Sequence, residues 1–182
     1  MAGIRAGFVG AIGATPLIEL PKLSAAIGRT ILGKAEFLNP GGSVKDRAAR
    51  GIVEDFEERG LLGPGGTIVE GTAGNTGIGL ALVGLARGYR AVIVMPDDQA
   101  PEKYDLLRAF GAYLRVVPAV PFTNDENYYH AARRIAESTP GAVWANQFEN
   151  TANAMAHERT TGPEIVEQTG GRLAAFGAAA GT

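Results

Sequence analysis

Apolar positions along the chain follow two rhythms. Short apolar runs bounded by glycine, proline or polar residues read as strands: Leu17–Leu20, Thr30–Phe37, Thr67–Glu70, Arg90–Met95, Tyr113–Val117, Ala142–Trp144 and Leu173–Ala178. Between them the spacing turns helical. Val44, Ala48, Ile52, Val53 and Phe56 recur on one helix face, and Gly60 follows as a stop. A second helix, running to about Arg87, is apolar on nearly every side through Ile78, Leu80, Leu82, Val83 and Leu85, which predicts burial. Pro101–Phe110 predicts a helix with Leu106, Leu107 and Phe110 inward and Gly111 as its cap. Glu126–Ser138 predicts another, with Tyr128, Ala131, Ala132 and Ile135 on one face; Ser24–Ile27, Asn150–Thr160 and Pro163–Gln168 also read as helical. Strands alternating with helices predict an α/β fold, a parallel sheet covered by helices. In such sheets ligands sit beyond the carboxyl ends of the strands. The loops expected there are Gly71–Thr76, the stretch around Gln147, and Gly181-Thr182.

Composition narrows the chemistry. With 182 residues, 46% of them hydrophobic, the chain suits one globular domain or slightly more. A net charge of −2 gives no reason to expect nucleic acid or an anionic membrane as partner. No apolar run is long enough to span a bilayer, and Arg5 interrupts a short Gly/Ala-rich start that lacks a secretory pattern. The expected location is the cytoplasm. There is no cysteine, hence no thiolate nucleophile or cysteine metal site, and the 2 histidines, His130 and His157, read as surface or packing residues.

Two loop-to-helix junctions remain as candidate chemistry. In Asn39-Pro40-Gly41-Gly42-Ser43-Val44-Lys45-Asp46-Arg47, turn residues lead to Ser43 as N-cap, with Asp46 placed as in a capping box. Lys45 then falls in the first helical turn. A cation there opposes the helix dipole, so its amine is expected to titrate low and to serve as nucleophile or base. The plain alternative is a solvated lysine offset by Asp46. In Glu70-Gly71-Thr72-Ala73-Gly74-Asn75-Thr76-Gly77-Ile78-Gly79, small residues open the backbone to a ligand, and the helix start favours a carboxylate or phosphate. The stretch Gly28–Ala35 nearly matches a phosphate-binding loop. Ala35 lacks the hydroxyl that would hold magnesium, and Ile31-Leu32 belong in a strand.

The ordered motifs G-A-T-P-L at 13–17, N-P-G-G-S-V-K-D-R at 39–47, T-A-G-N-T-G-I-G-L-A at 72–81, W-A-N-Q-F-E-N at 144–150 and T-T-G-P-E-I at 160–165 carry a family resemblance. From about Gly13 onward the chain resembles the cysteine synthase (O-acetylserine sulfhydrylase) group of fold-type II pyridoxal-phosphate (PLP) enzymes, whose fold is tryptophan synthase β-like. The resemblance implies that Lys45 holds PLP as a Schiff base and acts as acid and base at the substrate Cα. It implies that Asn75 bonds the cofactor's ring hydroxyl oxygen. Thr72, Ala73, Gly74 and Thr76 would close on the substrate carboxylate, with Gln147 as a further donor. Gly181 and Thr182 would open the loop around the cofactor phosphate. The implied reaction is β-replacement, making L-cysteine from O-acetylserine and sulfide. A homodimer and a serine acetyltransferase partner are also implied.

The resemblance further implies a smaller mobile domain over 43–145, with 1–42 and 146–182 belonging to a larger PLP-binding domain. Relatives run on past Thr182, so the large domain is expected to be incomplete and the chain to be a truncated piece with little turnover alone. Ala73 stands where many relatives have serine, which removes one hydroxyl donor. Three other readings stay open. One is another enzyme of the same fold: cystathionine β-synthase, a serine or threonine dehydratase, or an O-phosphoserine-using synthase. A second is a non-catalytic homologue that acts as a binding partner. The third is a nicotinamide-binding domain, suggested by Gly71, Gly74, Gly77, Gly79 and Asp97 but opposed by Leu82 at the third-glycine place.

Overall fold

The computed structural model describes residues 4–179 of the chain. A short helix α1 (Gly7–Gly10) leads to an antiparallel pair, β1 (Leu17–Glu19) and β2 (Leu32–Lys34), with Ile18 opposite Gly33. Helix α2 (Pro21–Ile27) joins the pair, begins with proline at its first turn and stops at Gly28, whose φ is 69°. The strand expected over Thr30–Phe37 is shorter because the chain turns at Glu36. There the Asn39 side-chain amide donates to the Glu36 carbonyl at 2.9 Å, fixing a 3₁₀ turn over Glu36–Leu38.

The body of the molecule is a parallel sheet. Helix α3 (Lys45–Glu58) precedes β3 (Thr67–Gly71), α4 (Asn75–Arg87), β4 (Arg90–Pro96), α5 (Pro101–Ala109), β5 (Tyr113–Val117), α6 (Tyr128–Ser138) and β6 (Ala142–Trp144). The strand order is β5-β4-β3-β6, with every neighbour parallel. The chain thus builds outward from β3 to β5, then returns to place β6 on the other side of β3. That reversal makes a switch point between β3 and β6, where a crevice opens beyond the strand ends.

Both faces of the sheet are covered, which explains strands that read as nearly continuous apolar runs. Ile68, Ile93 and Met95 share one core with Ile52 and Val53 of α3 and with Leu80 and Val83 of α4. Val69 and Val94 face Ala131, Ala132 and Ala136 of α6. Helix α4 is buried from Thr76 to Gly84 as expected, although Leu85 is exposed. Of the inward set expected around α5, Leu107 is fully buried and Phe110 packs half-buried against the core, while Leu106 faces outward at 39% exposure. One step along a helix turns a side chain by about 100°, which takes Leu106 off the face that Leu107 buries.

The C-terminal part forms α7 (Ala152–Ala156), a π turn (His157–Thr161) and α8 (Gly162–Thr169). Gly51 of α3 rests on this segment: a side-chain carbon there would come within 2.6 Å of the Ala156 methyl group. The strand expected over Leu173–Ala178 is absent, and those residues carry no regular structure. A strand takes its hydrogen bonds from a neighbour, and none lies beside this stretch among the described residues.

Candidate active site

The two helix starts singled out from sequence meet at one end of the sheet. Gly79 in the second turn of α4 packs directly on the first turn of α3. A carbon added at Gly79 would lie 3.1 Å from the Lys45 carbonyl oxygen and 3.0 Å from the Ala49 methyl group. Asn75 stands four residues earlier, about 6 Å along the helix. Lys45 is half-buried and Asn75 exposed. Lys45 is also close enough to the C-terminal segment that, after burial and the Arg47 charge, its own charge helps push His157 below its usual range.

The expected capping box is corrected. The Ser43 hydroxyl accepts from the Lys45 N–H at 3.2 Å, one residue nearer than the partner in a capping box, and α3 begins at Lys45. Asp46 reaches back not to Ser43 but to Gly41, whose N–H donates to Asp46 Oδ2. Asp46 is fully buried with Oδ1 unpartnered, and burial pushes its carboxyl up to about 6. A side-chain carbon at Gly41 would overlap the Asp46 carboxylate, which would have to leave its bond to the Gly41 N–H.

The loop after β3 presents Thr72, Ala73, Gly74, Asn75 and Thr76 across the switch point. Thr72 is buried and its hydroxyl accepts from the Gly74 N–H at 3.2 Å. Thr76, also buried, donates its hydroxyl to Gln147 Oε1, joining the loops after β3 and after β6 across 71 positions of sequence. Gly74 has open space around it, with only the Lys103 amine 3.9 Å from where a side chain would start. Lys103 donates to the Ala73 carbonyl at 3.2 Å and so holds this loop from α5. The structure therefore joins the Thr72–Thr76 loop to Gln147 at the ends of β3 and β6, and α4, which that loop opens, packs on the start of α3. Gly181 and Thr182 lie outside the described residues.

This donor set suits PLP with an amino-acid substrate. A primary amine stands at one helix start. Hydroxyls, an amide and open backbone N–H groups stand at another, where a carboxylate is favoured. Among the described residues no group of at least 3 His, Cys, Asp or Glu is placed to hold a metal ion.

Two features escaped sequence reasoning. The first is Arg47, whose side chain is fully buried two residues from Lys45. Its guanidinium donates to both oxygens of Glu36, at 2.8 and 2.9 Å, and to both oxygens of Glu164, at 2.7 and 2.8 Å. Thr15 and Thr160 complete its ring of acceptors, each at 3.1 Å. Burial alone raises the Glu164 carboxyl, but hydrogen bonds from Arg47 and then Lys34 hold it down at about 2. The motifs around Thr15, Lys45 and Glu164 thus converge on one cation. Its partners Glu36 and Glu164 lie 11 and 117 positions away, which no local pattern reveals.

The second is Glu70, the next-to-last residue of the apolar strand β3 and 1% exposed. Burial pushes its carboxyl up to about 8, partly offset by the backbone N–H groups of Gln147 and Asn146. Folded Glu70 keeps its proton up to about pH 8, while the unfolded group releases it near 4.5. Between those values the folded state binds more protons, so this group's contribution is fully present below 4.5 and lost as pH rises through 8. Glu70→Gln is expected to remove that slope, up to about 1.4 kcal/mol per pH unit. Urea unfolding at pH 5 and pH 8 checks this; an unchanged slope in the variant contradicts it.

Comparison with known proteins agrees with the geometry. A family model described as pyridoxal-phosphate dependent enzyme matches residues 9–182. The chain is similar to cysteine synthase 1 of Neurospora crassa, 63% identical over 180 residues, 99% of this chain and 48% of that protein. It is equally similar to cysteine synthase 1 of Emericella nidulans, 63% identical over 99% of this chain and 49% of that protein. The crystal structure of O-ureido-L-serine synthase superposes with a TM-score of 0.85 at 41% identity, covering 93% of this chain and 52% of that one. The chain spans about half the length of the curated relatives it matches.

Proposed function

The chain belongs to the family of pyridoxal-phosphate dependent enzymes, and we propose that it serves the β-replacement that makes L-cysteine from O-acetylserine and sulfide. One observation carries this reading: the amine-bearing start of α3 and the carboxylate-favouring start of α4 pack together at the β3–β6 switch point. The likeness to fungal cysteine synthases supports the choice of reaction.

In this reading Lys45 Nζ holds the cofactor and moves the proton at the substrate Cα. Asn75, exposed at the α4 start, would hydrogen-bond the cofactor's ring oxygen. The Thr72–Thr76 loop binds the substrate carboxylate through backbone N–H groups, and the Gln147 amide, whose oxygen accepts from the Thr76 hydroxyl, adds a donor through its nitrogen. Ala73 contributes only its backbone. Bound PLP supplies an electron sink for charge that develops at Cα. Arg47 and its carboxylates keep the α3 start rigid beneath the amine, as a site of this kind requires. Residues 43–145 form the smaller domain that closes on substrate; 1–42 and 146–182 belong to the larger one, where Gly181 and Thr182 serve the phosphate. A homodimer, a serine acetyltransferase partner and a cytoplasmic location accompany this assignment. No helix among the described residues is long and apolar enough to cross a membrane.

Product analysis tests the reading. The PLP-saturated chain is given O-acetylserine with sulfide, serine with homocysteine, or serine alone. Cysteine from the first mixture is expected to dominate. Cystathionine or pyruvate as main product would replace the reading with a cystathionine β-synthase or a dehydratase. PLP fixed on Lys45 with no spectral change on adding either amino acid would make the chain a binding homologue.

A further inference from the structure

We propose that Lys103 is a positioning residue for the substrate carboxylate: its ammonium, bound to the Ala73 carbonyl, polarises the Ala73–Gly74 peptide and strengthens the Gly74 N–H as a donor. The inference rests on the reading of the Thr72–Thr76 loop as the carboxylate site.

The loop after β3 has few donors to spare. The Thr72 N–H closes the ladder to β4 on the Val94 carbonyl at 2.9 Å, and the Gly77 N–H turns back to the Gly74 carbonyl at 3.0 Å. Ala73 brings no side-chain donor, and the Thr76 hydroxyl already donates to Gln147. An anion here therefore depends on backbone N–H groups, that of Gly74 among them. The Gly74 N–H meets the Thr72 hydroxyl at 3.2 Å, the long end of the range for such bonds. A neutral hydroxyl at that distance holds the place weakly, and a carboxylate oxygen forms the stronger bond. Gly74 carries no side chain to block the approach, and a carbon added there would meet only the Lys103 amine within 4 Å.

Lys103 acts on the other side of the same peptide. Its Nζ donates to the Ala73 carbonyl at 3.2 Å and to Gln99 Oε1 at 2.9 Å. Gln99 is itself fixed: its N–H donates to the Tyr104 hydroxyl at 2.9 Å, and that hydroxyl donates to the Pro96 carbonyl, at the end of β4, at 2.7 Å. The ammonium is thus anchored to the sheet rather than loose on its stem. No carboxylate among the described residues pairs with it, so its charge is not cancelled by a close partner. The carbonyl and the N–H of one trans peptide point opposite ways and polarise together. A cation on the Ala73 oxygen draws electron density toward that oxygen and leaves the Gly74 hydrogen more positive. The gain is larger against a carboxylate than against the Thr72 hydroxyl, because it acts on a full charge. Lys103 thereby favours the exchange of partners at Gly74 that substrate binding requires.

Two variants of the full chain test this: Lys103→Met removes the charge and keeps most of the stem, and Lys103→Arg keeps the charge. In the proton–nitrogen correlation spectrum of the cofactor-free chain, the Gly74 amide proton is expected to move upfield in Lys103→Met and to stay near its parental position in Lys103→Arg. With PLP bound, L-serine affinity followed by the visible spectrum is expected to fall about fivefold in Lys103→Met and to stay within about twofold in Lys103→Arg. L-Serinamide lacks the carboxylate, and its affinity is expected to change by less than about twofold in either variant. A lysine that only braced the loop would weaken both ligands alike. An unmoved Gly74 proton, an unchanged L-serine affinity, or equal losses for L-serine and L-serinamide would overturn the proposal. A parent chain that takes up no PLP would count against the function proposed above, and the Gly74 resonance would still decide on Lys103.

Discussion

Arg47→Met is expected to lower stability by about 3–5 kcal/mol, among the largest losses any single substitution in this chain can cause. The guanidinium is fully buried and satisfies four carboxylate oxygens at once. Methionine fills comparable space but leaves Glu36 and Glu164, 15% and 19% exposed, facing each other without the shared cation. Lys34 stays with Glu164 at 2.6 Å and offsets only part of the cost. For a chain of this size the loss corresponds to a melting temperature lower by on the order of 10 °C. The variant should also lose an acid limb. Glu164, held at about 2 when folded, contributes stability that is present above pH 4.5 and disappears as pH falls toward 2. Adding Glu36→Gln and Glu164→Gln to Arg47→Met is expected to recover part of the loss, because the uncompensated charges are then gone. A single-variant melting temperature within about 2 °C of the parent would show that the cluster is not structural.

Lys45→Ala is expected to act in the opposite sense on the two properties. Covalent PLP attachment should vanish completely, since the proposed site has no other amine at the α3 start. The fold should persist and gain about 0.3–1 kcal/mol, because a cation leaves the positive end of a helix dipole and alanine favours the helix. Stability sacrificed at a position of this kind is the usual sign of function. Paired melting curves and intact-mass spectra after PLP treatment check both halves. A variant that unfolds would make Lys45 a structural residue, and one that still carries PLP at the parental level would place the attachment elsewhere.

Much of the fold was legible because burial writes itself into periodicity. Ile68-Val69 and Ala91–Met95 are apolar on both faces since both faces are covered, and α4 is apolar all round since it lies between α3 and the sheet. Leu173–Phe176 shows the limit of that signal. It is an apolar run whose Leu173 and Phe176 are 48% and 68% exposed, and with no strand beside it periodicity alone makes no ladder. That the Gly71–Thr76 loop joins a strand to a helix start was legible from its small residues and hydroxyls. Glu70 was not, since a glutamate ending a strand normally marks an exposed edge. Arg47 was visible as part of a motif but not as its hub, because its partners come from three distant segments. Asp46 misled for a related reason: the spacing to Ser43 satisfies a capping box, but the tight turn at Gly41 puts another N–H nearer.

The central claim is that the α3 start presents the amine that holds the cofactor. Borohydride reduction of the PLP-saturated chain, followed by peptide mapping, measures this directly. The account predicts a single stoichiometric label on Lys45. A label on Lys103, the lysine that holds the same loop from α5, or one scattered over Lys22, Lys34 and Lys103, would contradict it.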